Sequence, residues 1–249
     1  MSRLTFFLCA LWIPLAGHSE CRMMNAECRI PGRKPAAAIL HSAFRIHHPD
    51  ATLTIGRLHY DGGGDWYGNP SSLPNLLEAI RTRTALPVAP RERVVTLQSA
   101  ELWDTPYLYM TGHGNVHFSD EDVRTLRRYL EQGGFLHADD NYGMDQSFRR
   151  EIVRVFPDHP MVEVPLSHPI YHLVYDFPKG IPKIHEHDGL PAQGFGIFLG
   201  DRLVVYYSYQ SDLGDGWEDP DVHHDPPELH EAALEMGVNL FTYVVSTTR

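Results

Sequence analysis

The stretch Tyr109-Met-Thr-Gly-His-Gly-Asn115, followed by a helix-patterned segment and then Gly133-Gly-Phe-Leu-His-Ala-Asp-Asp140, decides the fold. It reads as strand, loop, helix, strand. His113 then sits just beyond one strand C-terminus, and His137, Asp139 and Asp140 at the end of the next. In an open parallel sheet, neighbouring strand ends form one crevice, and such folds place their ligands there. Four side chains able to carry protons or hold a metal would share it, with no cysteine or serine nucleophile motif beside them.

The same alternation extends in both directions. Thr52 to Tyr60 alternates as a strand and runs into Asp61-Gly-Gly-Gly-Asp65-Trp-Tyr67; Leu73, Leu76, Leu77 and Ile80 then recur at helical spacing. Arg93 to Leu97 and Pro106 to Thr111 read as strands. Ser119-Asp-Glu-Asp122 opens a helix as a capping box with Asp in the place more often held by Glu. Three early acids complement the positive end of that helix. Val123, Leu126, Tyr129 and Leu130 give its buried face, Gly133-Gly134 stops it, and Phe135 to Ala138 is the next strand. A helix over Asp145 to Phe156 and a strand over Met161 to Pro165 follow. Phe195 to Leu199 and Leu203 to Tyr209 flank Gly200-Asp201, a hairpin signal, and a last helix runs from about Pro227 to Val245. The pattern predicts an α/β protein: a three-layer α/β/α sandwich with a mostly parallel sheet and an antiparallel C-terminal hairpin.

Outside this region the chain reads differently. Arg3, the apolar run Leu4 to Gly17 and the small-residue pattern Gly17-His-Ser19 describe a secretory signal over residues 1–19, too short to span a bilayer comfortably. An uncleaved anchor is the alternative. Residues 20–50 lack periodicity and read as an arm or linker before an α/β domain over 51–249. The expectation is export to a periplasm or the cell exterior, with no stable membrane insertion once the signal is removed. The mature thiols are then Cys21 and Cys28, which either close a small loop or stand as incidental thiols in the arm. The domain itself has no cysteine, which excludes thiolate catalysis within it. A net charge of −11 argues against nucleic acid or anionic lipid as a partner.

Several groups could carry chemistry. The triglycine loop allows close backbone approach, and Asp61, Gly63, Asp65, Trp66 and Tyr67 make it a candidate ligand loop with an aromatic face suited to a sugar. It is equally a tight turn with solvated acids or a lid packed on the core, and it lacks the phosphate-loop Gly-Lys-Ser/Thr. His113 has room between two glycines for a proton carrier or ligand, or bonds its ring to loop backbone. One of Asp139 and Asp140 is expected to cap the next turn, the other to orient a histidine or hold a metal. A histidine-rich zone holds His168, His172, His185 and His187. The last two share a face if that segment is a strand, which would make them, with His137, candidate divalent-metal ligands beside the alternative of ordinary hydrogen-bonded histidines. The run from Ser211 to Asp225 reads as a solvated acidic loop, or as a flap closing on the crevice through Trp217.

Taken together, Asp61 to Tyr67, Met110 to Asn115, Gly133 to Leu136 with Asp139-Asp140, Ser147-Phe-Arg-Arg-Glu151, Tyr175-Asp-Phe-Pro-Lys-Gly180 and Ser211-Asp-Leu-Gly-Asp-Gly-Trp217 resemble the DUF4159 family, a domain of unknown function. The resemblance covers about Thr52 to Val245. It implies a relationship to the class I glutamine amidotransferase-like clan and a flavodoxin-like sandwich, and the Thr111 to Gly114 turn is similar to the trehalose-utilisation branch. True amidotransferases carry a cysteine at that turn; Gly112, His113 and Gly114 stand here, so glutaminase activity is not implied. Three functions are compatible with these features. They are a metal-assisted hydrolase of a small polar or carbohydrate substrate, a non-catalytic ligand-binding module, and an envelope module that recognises a protein partner.

Overall fold

The structure, a computed structural model, describes residues 52–247. The expected signal, the arm and the Cys21 and Cys28 thiols lie outside the described residues. Seven strands form one sheet: β1 (Ile55–Leu58), β2 (Arg93–Val95), β3 (Tyr107–Gly112), β4 (Phe135–Asp140), β5 (Val162–Glu163), β6 (Gln193–Leu199) and β7 (Arg202–Tyr209). Their order across the sheet is β2-β1-β3-β4-β7-β6-β5. The pairs β1–β2, β1–β3, β3–β4 and β4–β7 are parallel. The hairpin β6–β7 is antiparallel, as is the edge pair β5–β6.

Helices cover both faces. On one, α1 (Ser72–Arg83) and α6 (Pro227–Thr247) pack Leu73, Leu76, Ile80, Met236, Leu240 and Phe241 against Tyr107 and Tyr109 of β3. On the other, α2 (Asp120–Glu131) and α3 (Asp145–Val155) pack Leu126, Leu130, Phe148 and Ile152 against Leu108, Met110, Leu136 and Ala138. Alternate residues of β3 and β4 thus serve different layers, as the two-residue period of a strand requires. The architecture is the α/β three-layer sandwich that the alternating pattern predicts, with an antiparallel C-terminal hairpin and the arrangement of a flavodoxin-like sheet.

Local chemistry explains where elements begin. At α2 the Ser119 hydroxyl accepts from the Asp122 backbone N–H while the Asp122 carboxylate accepts from the Ser119 backbone N–H, so the capping box forms with Asp as its acid. The β5 segment is shorter than the sequence suggests. Its ladder keeps two residues, Val162 and Glu163, opposite Gly196 and Phe195, with the Val164 N–H adding one bond to the Gly194 carbonyl. The segment carrying His185 and His187 has no regular secondary structure, so the strand expected there does not form. Pro182 and Gly189 bracket it, and a proline with no N–H to donate does not favour a ladder.

Because the α2 cap satisfies otherwise unpaired N–H groups, Ser119→Ala is expected to cost about 1 kcal/mol of stability. Urea unfolding of the full chain would show this as a lower midpoint with an unchanged slope.

Candidate functional site

The C-terminal ends of β1, β3, β4 and β7 lie side by side, and the segments leaving them carry the polar residues of interest. One of these is sealed. Asp139 is fully buried on the face of β4 that meets α6. Its carboxylate accepts hydrogen bonds from the Tyr109 hydroxyl at 3.1 Å, from Ser208 Oγ, and from the backbone N–H groups of Leu213 at 3.3 Å and Gly214 at 2.6 Å. The last two begin α4 (Leu213–Gly216), so Asp139 ties the strand end to the segment that follows β7. Burial pushes its carboxyl up to about 7, against the pull of these donors.

His137 lies one pleat behind Asp139. Its Nδ1 is 2.9 Å from the Tyr107 hydroxyl and its Nε2 2.8 Å from Ser208 Oγ. With Ser208 donating to Asp139, the consistent proton order is Tyr107 to Nδ1, then Nε2–H to Ser208. Burial lowers the ring to about 3, so it is a neutral imidazole with both nitrogens engaged. The metal role expected of His137 therefore has no free donor atom. Tyr107, His137, Ser208, Asp139 and Tyr109 form a dry polar network instead. Trp217 is also fully buried, with Nε1 donating to the Ala233 carbonyl at 2.7 Å. It is a core anchor between α4 and α6, with no surface for a ligand.

The other expected residues face outward in two groups. In the first, Gly112 and Gly114 have φ of 139° and 90°, which glycine adopts without strain and which turn the His113 side chain out of the sheet. His113 Nδ1 lies 3.0 Å from Asp65 Oδ2, and its backbone N–H donates to Asp65 Oδ1. Burial opposes ionisation of Asp65, but these His113 contacts outweigh it and hold the carboxyl below its ordinary range. The loop is braced by Gly64 N–H to Asn115 O at 3.0 Å, and by the buried Arg57 guanidinium donating to the carbonyls of Gly68 and Asn69. Asp61 pairs with His117 through the backbone and its side chain is exposed. The added Cβ at Gly63 would meet open space, Trp66 stacks on His59 at 4.1 Å, and Tyr67 is exposed.

The second group assembles around the start of α4. His185 Nδ1 is 3.0 Å from Asp215 Oδ2 and 3.8 Å from Asp212 Oδ2, while its Nε2 is 2.9 Å from Asp225. His223, which ends α5 (Pro220–His223), places Nε2 3.0 Å from Glu218 and 3.9 Å from Asp215. His187 bonds Asp212 and stacks on Tyr142 at 4.4 Å. Asn69 donates to Asp215, and Asn141 donates to Asn69 at 3.2 Å. His185, Asp215 and His223 each offer a donor atom within 4.8 Å of the others, the one such group among the described residues. The run from Ser211 to Asp225 is thus solvated only in its second half: Asp212 is buried and Asp215 half-buried, whereas Asp219 to His224 is exposed.

The electrostatics follow from crowding. The Asp215 hydrogen bond, against burial, raises His185 to about 9. Burial, with the charges of Asp139 and Asp215, raises Asp212 to about 8. Burial favours neutral Asp215, yet bonds to His185 and Asn69 and the His223 charge hold its carboxyl below the usual range. Asp140 is raised by burial and by Asp145. It accepts from the backbone of Met144 and Gly143, and so caps the turn that the sequence predicts for one of the two aspartates.

The loop after β4 lies between the two groups. An added Cβ on Gly143 would stand 3.8 Å from Gly114 N, while Tyr142 covers His187. Asp139 and His113 therefore do not share a hollow, whereas the His113–Asp65 pair and the His185 cluster border the same strand ends. Four non-glycine residues here, Asn69, Tyr142, Gln210 and Asp212, have φ between 56° and 61°. Such strained backbone gathers where surrounding structure enforces a site. His168 and His172 belong elsewhere. His168 caps a short 3₁₀ turn, and His172 is bound to Asp176 and the Leu166 carbonyl. A cavity of about 480 Å³ lined by Gly133, Arg202 and Tyr243 lies at the opposite, N-terminal end of β4 and β7, away from this chemistry.

Asp139→Ala leaves two backbone N–H groups and two hydroxyls without their acceptor, so a loss of about 3 kcal/mol or more is expected. Unfolding followed by fluorescence of the buried Trp217 would measure it. Asp212 and His185 both have folded-state values above their unfolded ones. Each binds more protons folded than unfolded up to about 8 and about 9 respectively, so chelator-treated protein is expected to lose stability as pH rises from 6.5 to 9. A melting temperature that rose across that window would contradict this assignment of charge.

No curated protein matches the sequence. Residues 54–245 match the family described as a domain of unknown function, DUF4159, and this span takes in every element from β1 to α6 that builds the two polar groups. The chain belongs to the DUF4159 family.

Proposed function

We propose that the protein is an exported, metal-assisted hydrolase that retains the strand-end crevice of the class I glutamine amidotransferase-like clan, near its trehalose-utilisation branch, without the cysteine nucleophile. The carrying observation is the convergence of His185, Asp215 and His223 within 4.8 Å. Ligands about 2.1 Å from a zinc-sized ion at tetrahedral angles stand about 3.4 Å apart, and the separations of His185 Nδ1 and His223 Nε2 from the Asp215 carboxylate, 3.0 and 3.9 Å, are of that order. Asp225 on His185 Nε2 supplies the outer carboxylate that fixes the tautomer of a ligating imidazole, leaving Nδ1 for the ion.

A bound divalent ion lowers the pKa of water and so takes the place of a side-chain nucleophile. His113 supplies the proton carrier. Asp65 holds its Nδ1 and orients the ring, and the side chain is 59% exposed towards the crevice mouth. Asp140, the last residue of β4, with its elevated carboxyl, is the second acid–base group. Export is supported by Arg3, the apolar Leu4 to Gly17 and Gly17-His-Ser19, and among the described residues no helix is long and apolar enough to cross a membrane. A small polar or carbohydrate substrate is favoured by the exposed rings of Tyr67 and Tyr142 at the rim. Those same rings support the second reading, a binding module for a sugar or a protein partner.

Metal analysis of chelator-stripped full chain re-equilibrated with zinc or manganese tests this reading. One or more ions per chain are expected, with at least a tenfold loss of affinity in His185→Ala. His113→Ala should keep the ion and lose about 100-fold or more of the hydrolysis of nitrophenyl esters or glycosides. A protein that binds no ion and hydrolyses as well without His113 would overturn it.

A further inference from the structure

One short turn joins the two outward groups. Asp65, which orients the His113 ring, and Asn69, which donates to the Asp215 carboxylate, are four residues apart. The Gly68 N–H donates to the Asp65 carbonyl at 2.8 Å and closes the chain between them. At the far end the Asn69 carbonyl accepts from Arg57 Nη2 at 3.1 Å, from Ser72 Oγ at 2.7 Å and from the Ser72 N–H at 3.2 Å. Arg57 Nη1 also holds the Gly68 carbonyl, at 2.6 Å, while its Nε lies 3.5 Å from Glu92. A single buried guanidinium on β1 therefore clamps the turn. Neighbouring elements close on both ends. An added Cβ on Gly112 would stand 2.9 Å from Asp65 Oδ1, and one on Gly214 would stand 2.9 Å from Asn69 Nδ2. The end of β3 and the start of α4 thus pack directly on the two polar side chains.

We propose that the turn from Asp65 to Asn69 holds the proton carrier and the cation ligands at a fixed spacing, with Asn69 as the positioning residue for Asp215 and Arg57 as the clamp. This rests on the cation-dependent reading above. Asp215 presents Oδ2 to His185 Nδ1 at 3.0 Å, whereas its Oδ1 takes the Asn69 amide. A carboxylate tied at one oxygen is held against rotation, and ligands oriented in this way bind an ion more tightly. The Asn69 amide is itself oriented. Its Nδ2 faces an acceptor-only carboxylate, and its Oδ1 accepts from Asn141 Nδ2 at 3.2 Å. Asparagine also suits the backbone here, because φ is 56° and Asn enters the left-handed region more readily than most side chains. Arginine suits position 57 because its rigid fork meets two carbonyls at once, a geometry that a lysine ammonium lacks.

Two measurements on the full chain test this: Mn²⁺ affinity by equilibrium dialysis after chelator treatment, and the imidazole signals of the ion-free protein by NMR. Asn69→Gly relieves the left-handed backbone and removes the amide, so Mn²⁺ is expected to bind about tenfold or more weakly. That variant should move the His185 ring signals and leave those of His113 in place. Arg57→Lys loosens both ends of the turn, so it should weaken Mn²⁺ by a similar factor and move the signals of both histidines. It serves alone if Asn69→Gly does not fold. Ser119→Ala, which weakens the α2 cap on the opposite face of the sheet, should change neither measurement and so separates positioning from general stability. Wild-type affinity for Mn²⁺ in Asn69→Gly or Arg57→Lys would overturn the inference and leave the one-cation hydrolase standing. So would an unmoved His113 signal in Arg57→Lys. A wild-type chain that takes up no Mn²⁺ would overturn the cation reading and, with it, the role given to Asn69.

Discussion

The buried carboxylate of Asp139 is the constraint on which this edge of the molecule depends. It leaves β4 inside the α6 layer and takes two side-chain donors from the sheet and two backbone donors from the start of α4. A carboxylate without water must be surrounded by donors, and here the surrounding dictates a path for the chain. The segment after β7 has to bend back across the strand ends to offer the N–H groups of Leu213 and Gly214. That bend puts Asp212 in a left-handed conformation and aims Asp215 outward, while Trp217 is driven into the core beneath α6.

The crevice chemistry is built on that bend. Asp212 and Asp215 meet His185 and His187 from a segment without regular structure; His223 at the end of α5 reaches Asp215, and Asp225 just after it reaches His185. Asn69, just before α1, bonds Asp215, and Asn141, just after β4, bonds Asn69 in turn. The residues that meet here come from five separate stretches of chain, so their charges are set against each other only in the folded state. That crowding is what raises Asp212 and His185 and depresses Asp215.

Much of the fold was legible in the residues. Strand and helix periods are local properties, and the apolar faces of α1, α2, α3 and α6 declare themselves in order along the chain. The Ser119–Asp122 box and the Gly200–Asp201 hairpin are likewise short-range. The candidate site was legible only in part. His113 between glycines and His185 both stand at the strand-end edge, but Asp139 and His137 carry the same outward signs and are sealed. Sequence shows a polar residue after an apolar run without showing its depth. Asn69 and His223 carried no signal in the reading, since an asparagine after a glycine loop and a histidine in an acidic run are unremarkable until something meets them.

The sequence by itself determined the order of elements, the layer each helix face would seek, the parallel sheet with its final hairpin, and the absence of a cysteine nucleophile. Those follow from periodicity, capping and composition, which act within a few residues. Tertiary structure alone decided which polar groups are buried scaffold and which border the crevice. Asp139 and Asp140 are neighbours in sequence, yet the pleat sends one into the α6 layer as a helix anchor and leaves the other with an unpartnered oxygen at the edge. Burial, and the donors brought from distant segments, give a carboxylate its role, and neither is a property of the residue or its immediate neighbours.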